Sequence, residues 1–117
     1  VSEEKVGSLT WVRQRFEVIW SRIMGLREAG QKEYAGGSRA FGNFERIAGK
    51  PFLARKGVRS WDVLWIYFTK HLDGIEAYLE GYASQREDVR GRIRDAIVYL
   101  MLLHCMIDEV EGIEGEQ

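Results

Sequence analysis

The stretch Lys70-His71-Leu72-Asp73 is followed at Glu76 by a second carboxylate, three residues after the first. Residues three apart on a helix share a face, so Asp73 and Glu76 can turn toward one Mg²⁺, an ion that takes oxygen ligands. A third acid, Asp95, belongs to the series Asp88, Arg92, Asp95 and Tyr99, which traces one polar stripe at i, i+4, i+7 and i+11. That stripe runs into the apolar run from Ala96 to Ile107, where a carboxylate is costly to bury without a metal or a cation beside it. Asp73, Glu76 and Asp95 are therefore the candidate metal ligands. Lys70 and His71 are the candidate catalytic groups, the first holding charge on a phosphate and the second moving a proton. The same spacings also fit plain ion pairs, Lys70 with Asp73, or Asp95 with Arg92 or Lys70.

Between residues 30 and 59 the chain carries Gly30, Gly36, Gly37, Gly42, Gly49 and Gly57. Glycine lets a backbone approach a ligand closely, and the same segment supplies cations and aromatics. Lys32, Arg39 and Arg46 can pair with phosphate, Tyr34 can stack on a base, and Asn43 can read polar edges; Arg92 on the later helix can join them. These six are the candidate nucleotide-binding residues. An ordered loop whose aromatics cap a helical bundle would use the same residues, with Phe44 and Ile47 in the core. The segment matches neither the P-loop nor the dinucleotide-binding glycine pattern. No Ser/His/Asp or Cys/His spacing stands out, and two histidines with one cysteine are too few for a structural zinc site.

Helices must position these groups. Leu9, Val12, Phe16, Ile19, Ile23 and Leu26 alternate by three and four, which predicts a helix over about residues 8–29 with Gly30 as its stop. A short helix, about residues 40–48, is expected in the glycine-rich segment. Ser60 is a suitable N-cap for a third helix through Trp61, Leu64, Phe68, Leu72, Ile75 and Leu79, ended by Gly81. Ser84-Gln85-Arg86-Glu87 has capping-box form and predicts a fourth helix with Val89, Ile93, Ile97, Leu100 and Ile107 on one face. The expectation is a single all-α domain over residues 1–117, a compact four-helix unit of three long helices and one short one. The fourth helix is apolar around most of its girth from Ala96 to Ile107, which predicts a homo-oligomer with the last two helices near the interface.

Composition sets the class. Of 117 residues 45% are hydrophobic and 30% charged, which suits a packed soluble domain rather than a disordered chain. Residues 1–29 carry a net +1, residues 30–59 a net +5 and residues 60–117 a net −7. A basic middle joined to an acidic helical half can hold phosphates on one side and a divalent cation on the other. Cys105 alone cannot form an internal disulfide, and the opening Val-Ser-Glu-Glu-Lys does not read as a secretory signal. A cytoplasmic protein with no membrane span is expected, and no basic helix argues for nucleic acid as a partner.

Four short motifs bear a family likeness. Lys32-Glu33-Tyr34-Ala35, Asn43-Phe44, Lys70-His71-Leu72-Asp73 and the Asp95-to-Tyr99 spacing fall in an order that resembles phage and prophage nucleotide-modification-associated domains. Asp73-x-x-Glu76 is also similar to the first acid pair of the all-α, MazG-like nucleoside triphosphate pyrophosphatases. In their second pair, E-x-x-D, this chain has Arg92-x-x-Asp95, so one Mg²⁺ or none replaces a two-metal centre. The resemblance implies a nucleotide-metabolism protein that binds a (deoxy)nucleotide phosphate in host cytoplasm, with Mg²⁺-dependent pyrophosphohydrolysis as its enzymatic form. A non-catalytic nucleotide-binding or sequestering protein is the alternative, and a helical scaffold or interaction module the third reading.

Overall fold

The computed structural model describes residues 5–34, 39–82 and 88–115, with the side chains of residues 26–34 outside that description. Among the described residues there are five helices and no strand. They are α1 (Leu9–Tyr34), α2 (Gly42–Ala48), α3 (Pro51–Ala54), α4 (Ser60–Leu79) and α5 (Val89–Glu111). The all-α expectation holds, with one helix more than the sequence pattern announced. The extra element, α3, is a single turn started by Pro51, whose fixed φ and missing N–H suit a first helical position.

Local chemistry explains most of the boundaries. Ser8 caps α1, its Oγ accepting the Trp11 N–H at 3.2 Å. Gly30 does not stop this helix, which runs on to Tyr34. A mid-helix glycine costs only about 1 kcal/mol, a modest sum against 26 residues of continuous hydrogen bonding. At the start of α4 the cap is Arg59 rather than Ser60. The Asp62 carboxylate accepts the Arg59 N–H at 2.8 Å and pairs with the Arg59 guanidinium at 3.2 Å. That guanidinium hydrogen bond, then the backbone one, holds the Asp62 carboxyl below its usual range. The capping box expected at Ser84 to Glu87 lies outside the described residues; the first described cap of α5 is Asp88, which accepts the Arg90 N–H at 2.7 Å. Gly81 and Gly112, both at positive φ, follow the ends of α4 and α5.

The core is the antiparallel pair α4 and α5 with α2 laid across it. Leu64 is fully buried, joined by Val63, Phe44, Ala48 and Met106, with Tyr99, Leu102 and Leu103 at the margin. Phe44 and Ile47 thus take the core places expected of them. The buried face of α5, by contrast, is not the expected one. Ala96 and Met106 are buried, while Ile93, Leu100 and Ile107 are each more than a third exposed, so the helix is turned by roughly a quarter revolution from the predicted face. The turn carries the polar stripe of Arg92, Asp95 and Tyr99 onto the seam with α4. Helix α1 packs on α5 and buries Ile23. Cys105 and His104 are exposed, with His104 paired to Asp108 at 3.1 Å. Among the described residues no helix is long and apolar enough to cross a membrane.

Candidate functional site

The polar stripe of α5 meets α4 around His71. Its imidazole is mostly buried and lies 5.4 Å, ring to ring, from Tyr99. The Nε2 atom stands 4.0 Å from the Asp95 carboxylate, an ion-pair separation too long for a hydrogen bond, and the buried Nδ1 has no hydrogen-bond partner among the described residues. Burial, then the Asp95 charge, then Tyr67 push the Tyr99 hydroxyl above its ordinary pKa. Phe44 brings α2 onto this seam, its ring 6.1 Å from Tyr67 and 6.0 Å from Tyr99. One turn further, Arg92 lies across Gly74: a Cβ built there would come within 2.6 Å of the arginine side chain. The absent side chain at Gly74 is what lets a guanidinium stem cross the helix pair at this level.

The remaining sequence candidates divide. Lys70, Asp73 and Glu76 are all exposed on α4. Among the described residues no three His, Cys, Asp or Glu side chains converge to hold a metal ion. Arg39 is engaged by two carboxylates, Glu45 and, at 3.0 Å, Glu109. These hydrogen bonds and charges raise the Arg39 pKa and, from the Arg39 side, lower that of Glu45. Glu109 lies fourteen positions beyond Asp95, about 21 Å along the helix at 1.5 Å per residue, so Arg39 does not share a pocket with that carboxylate. Asn43 and Arg46 sit on α2, the first half-buried and the second exposed. The side chains of Lys32 and Tyr34 lie outside the described residues.

A different cleft gathers cations that the sequence pattern did not single out. Between α1 and the first turns of α5 is a cavity of about 380 Å³, lined by Arg15, Arg22, Arg90 and Arg94. Trp11, Phe16 and several aliphatic side chains also line it, and among the described residues no carboxylate does. The Nε of Arg94 is buried with no partner among the described residues; Arg90 lies 3.6 Å from Asp88. Four guanidiniums lining one cleft can hold an anion, since a negative charge among them offsets their mutual repulsion. The signal was present as Trp11, Arg15 and Arg22 at i, i+4 and i+11 and as Arg90 with Arg94 at i, i+4. Nothing in the sequence says that these two sets face each other. Compared with protein-family models, with curated proteins and with solved structures, the chain matches none.

Proposed function

We propose that this protein binds a nucleotide or a closely related phosphorylated small molecule, with the phosphates held by Arg15, Arg22, Arg90 and Arg94. The observation that carries the reading is the quartet of arginines lining one cleft beside Trp11 and Phe16, with no acid among the described lining residues. Guanidinium groups present planar forks that match phosphate oxygens two at a time, and Trp11 or Phe16 offers a face for a base to stack on. The volume falls in the range of small-molecule sites, about 300 to 1,000 Å³. Mg²⁺ enters this proposal as the ion that accompanies the phosphates, keeping most of its own water. A cytoplasmic location and a homo-oligomeric state belong to the same proposal.

Calorimetric titration with nucleoside mono-, di- and triphosphates tests it. Binding should strengthen with phosphate number, persist in chelator and fall about tenfold or more in Arg15→Gln, the loss of one charged hydrogen bond of roughly 1.5 kcal/mol or above. No heat with any nucleotide, with or without Mg²⁺, would leave the helical-scaffold reading in its place. A second, hydrolytic reading places the nucleotide at the α4–α5 seam instead of the arginine cleft and has one observation in its favour, the His71 imidazole beside Asp95 with an Nδ1 that has no partner among the described residues. On that reading Asp95→Asn abolishes Mg²⁺-dependent turnover of a bound nucleoside triphosphate, and unchanged or absent turnover in both proteins rejects it.

A further inference from the structure

The cleft residues that α1 contributes have an order. Trp11, Arg15, Val18 and Arg22 line it at i, i+4, i+7 and i+11. At 3.6 residues per turn those intervals keep all four within an arc of about 60°, so they form one row along the helix axis: a ring, a guanidinium, an apolar spacer and a second guanidinium. Phe16, five residues after Trp11, is turned about 140° from the head of that row and lines the cleft from its other flank. The two rings also differ in how firmly they are set. Trp11 is half-buried in the first turn of α1, its N–H donating to Ser8 Oγ at 3.2 Å, whereas Phe16 is 66% exposed.

The spacing of the cations decides what each can reach. One guanidinium fork takes two oxygens of a single phosphate. Arg15 stands about 6 Å beyond Trp11 along the axis, and Arg22 about 10.5 Å beyond Arg15, at 1.5 Å per residue. Two forks spaced in this way suit successive groups of a phosphate chain better than one group shared between them. From α5, Arg90 and Arg94 join them about one helical turn apart. Arg94 is the more firmly placed of the two, half-buried with its Nε out of solvent, while Arg90 lies 3.6 Å from the exposed Asp88 carboxylate.

We infer that the cleft holds its nucleotide in one direction, with the base on Trp11, the first phosphate at Arg15 and the terminal phosphate of a triphosphate at Arg22. Arg22 is then the side chain that distinguishes phosphate number. Arg15, with Arg94, holds the phosphate that mono-, di- and triphosphates share. The inference rests on the nucleotide-binding reading above and adds to it a direction and a separate role for each α1 arginine.

Calorimetric titration of the wild-type chain, Arg15→Gln and Arg22→Gln with adenosine mono-, di- and triphosphate tests the order. Both arginines are exposed, and helical circular dichroism checks that each variant is folded. Arg22→Gln should lower triphosphate affinity about tenfold, the loss of one charged hydrogen bond, and leave monophosphate affinity within about twofold. Arg15→Gln should lower all three by a similar factor. Trp11→Leu should weaken every nucleotide about fivefold or more, the loss of a stacked base, and leave inorganic tripolyphosphate unchanged, whereas Phe16→Leu should change neither. Undiminished triphosphate binding in Arg22→Gln, equal losses for mono- and triphosphate in that variant, or a ring effect confined to Phe16 overturns the direction and leaves the arginine cleft as the nucleotide site. A wild-type chain that binds none of the three nucleotides overturns both.

Discussion

Replacing Arg94 by methionine should weaken ligand binding and, in the ligand-free protein, raise stability. Methionine keeps an unbranched stem of similar reach, so the packing of α1 on α5 is little disturbed. It removes a buried Nε with no partner among the described residues, a kind of group whose desolvation costs about 1–3 kcal/mol. It also relieves repulsion from the three other guanidiniums that line the cleft. At about 2.1 cal/mol/K per residue, 117 residues give an unfolding entropy near 0.25 kcal/mol/K, so a gain of 1 kcal/mol corresponds to about 4 °C in Tm. Differential scanning fluorimetry in low-phosphate buffer reads that shift, and titration with a nucleoside triphosphate reads the affinity. Opposite signs for stability and affinity mark a group retained for a ligand rather than for the fold. A drop of several degrees in Tm with affinity unchanged would show that Arg94 is a packing residue and that the cleft is not the site.

Two further predictions concern the scaffold. The Asp62 carboxyl titrates below its usual range in the folded chain, so its stabilisation of α4 is complete above about pH 4, the unfolded value, and is lost as pH falls through the lowered native value. Asp62→Asn should therefore lower Tm at pH 7 by a few degrees, roughly the 0.5–1 kcal/mol of a helix-start carboxylate, and the difference from wild type should shrink steadily in acid. Gly74→Ala should destabilise the protein while Arg92 is present and stabilise it, by up to about 1 kcal/mol of helix propensity, once Arg92 is alanine. Additive effects in that double-mutant cycle would show that the arginine stem moves aside freely.

How much of this was legible in the sequence varies with how local the deciding interaction is. Helix α4 follows its apolar periodicity through Leu64 and Phe68, and Gly81 ends it as expected, because periodicity and a positive φ are decided within a few residues. Ser60 was the obvious cap by residue type, yet Arg59 takes that place because Asp62 can serve its N–H and guanidinium together. The face of α5 was misjudged because aliphatic size alone favoured Ile93, Leu100 and Ile107, whereas packing against α4 selects small Ala96 and adaptable Met106 and admits the polar stripe. Arg39 had the right chemistry for phosphate but is held by Glu109, seventy positions away. The cleft arginines were unreadable for the same reason: residues 15 and 22 meet residues 90 and 94 only through the tertiary packing of α1 on α5.

The most direct measurement is a crystal structure of the protein grown with a nucleoside triphosphate and Mg²⁺. Phosphate density bracketed by Arg15, Arg22, Arg90 and Arg94, with the base against Trp11 or Phe16, is the predicted result. An ordered nucleotide beside His71 and Asp95 with the arginine cleft holding only water would contradict it.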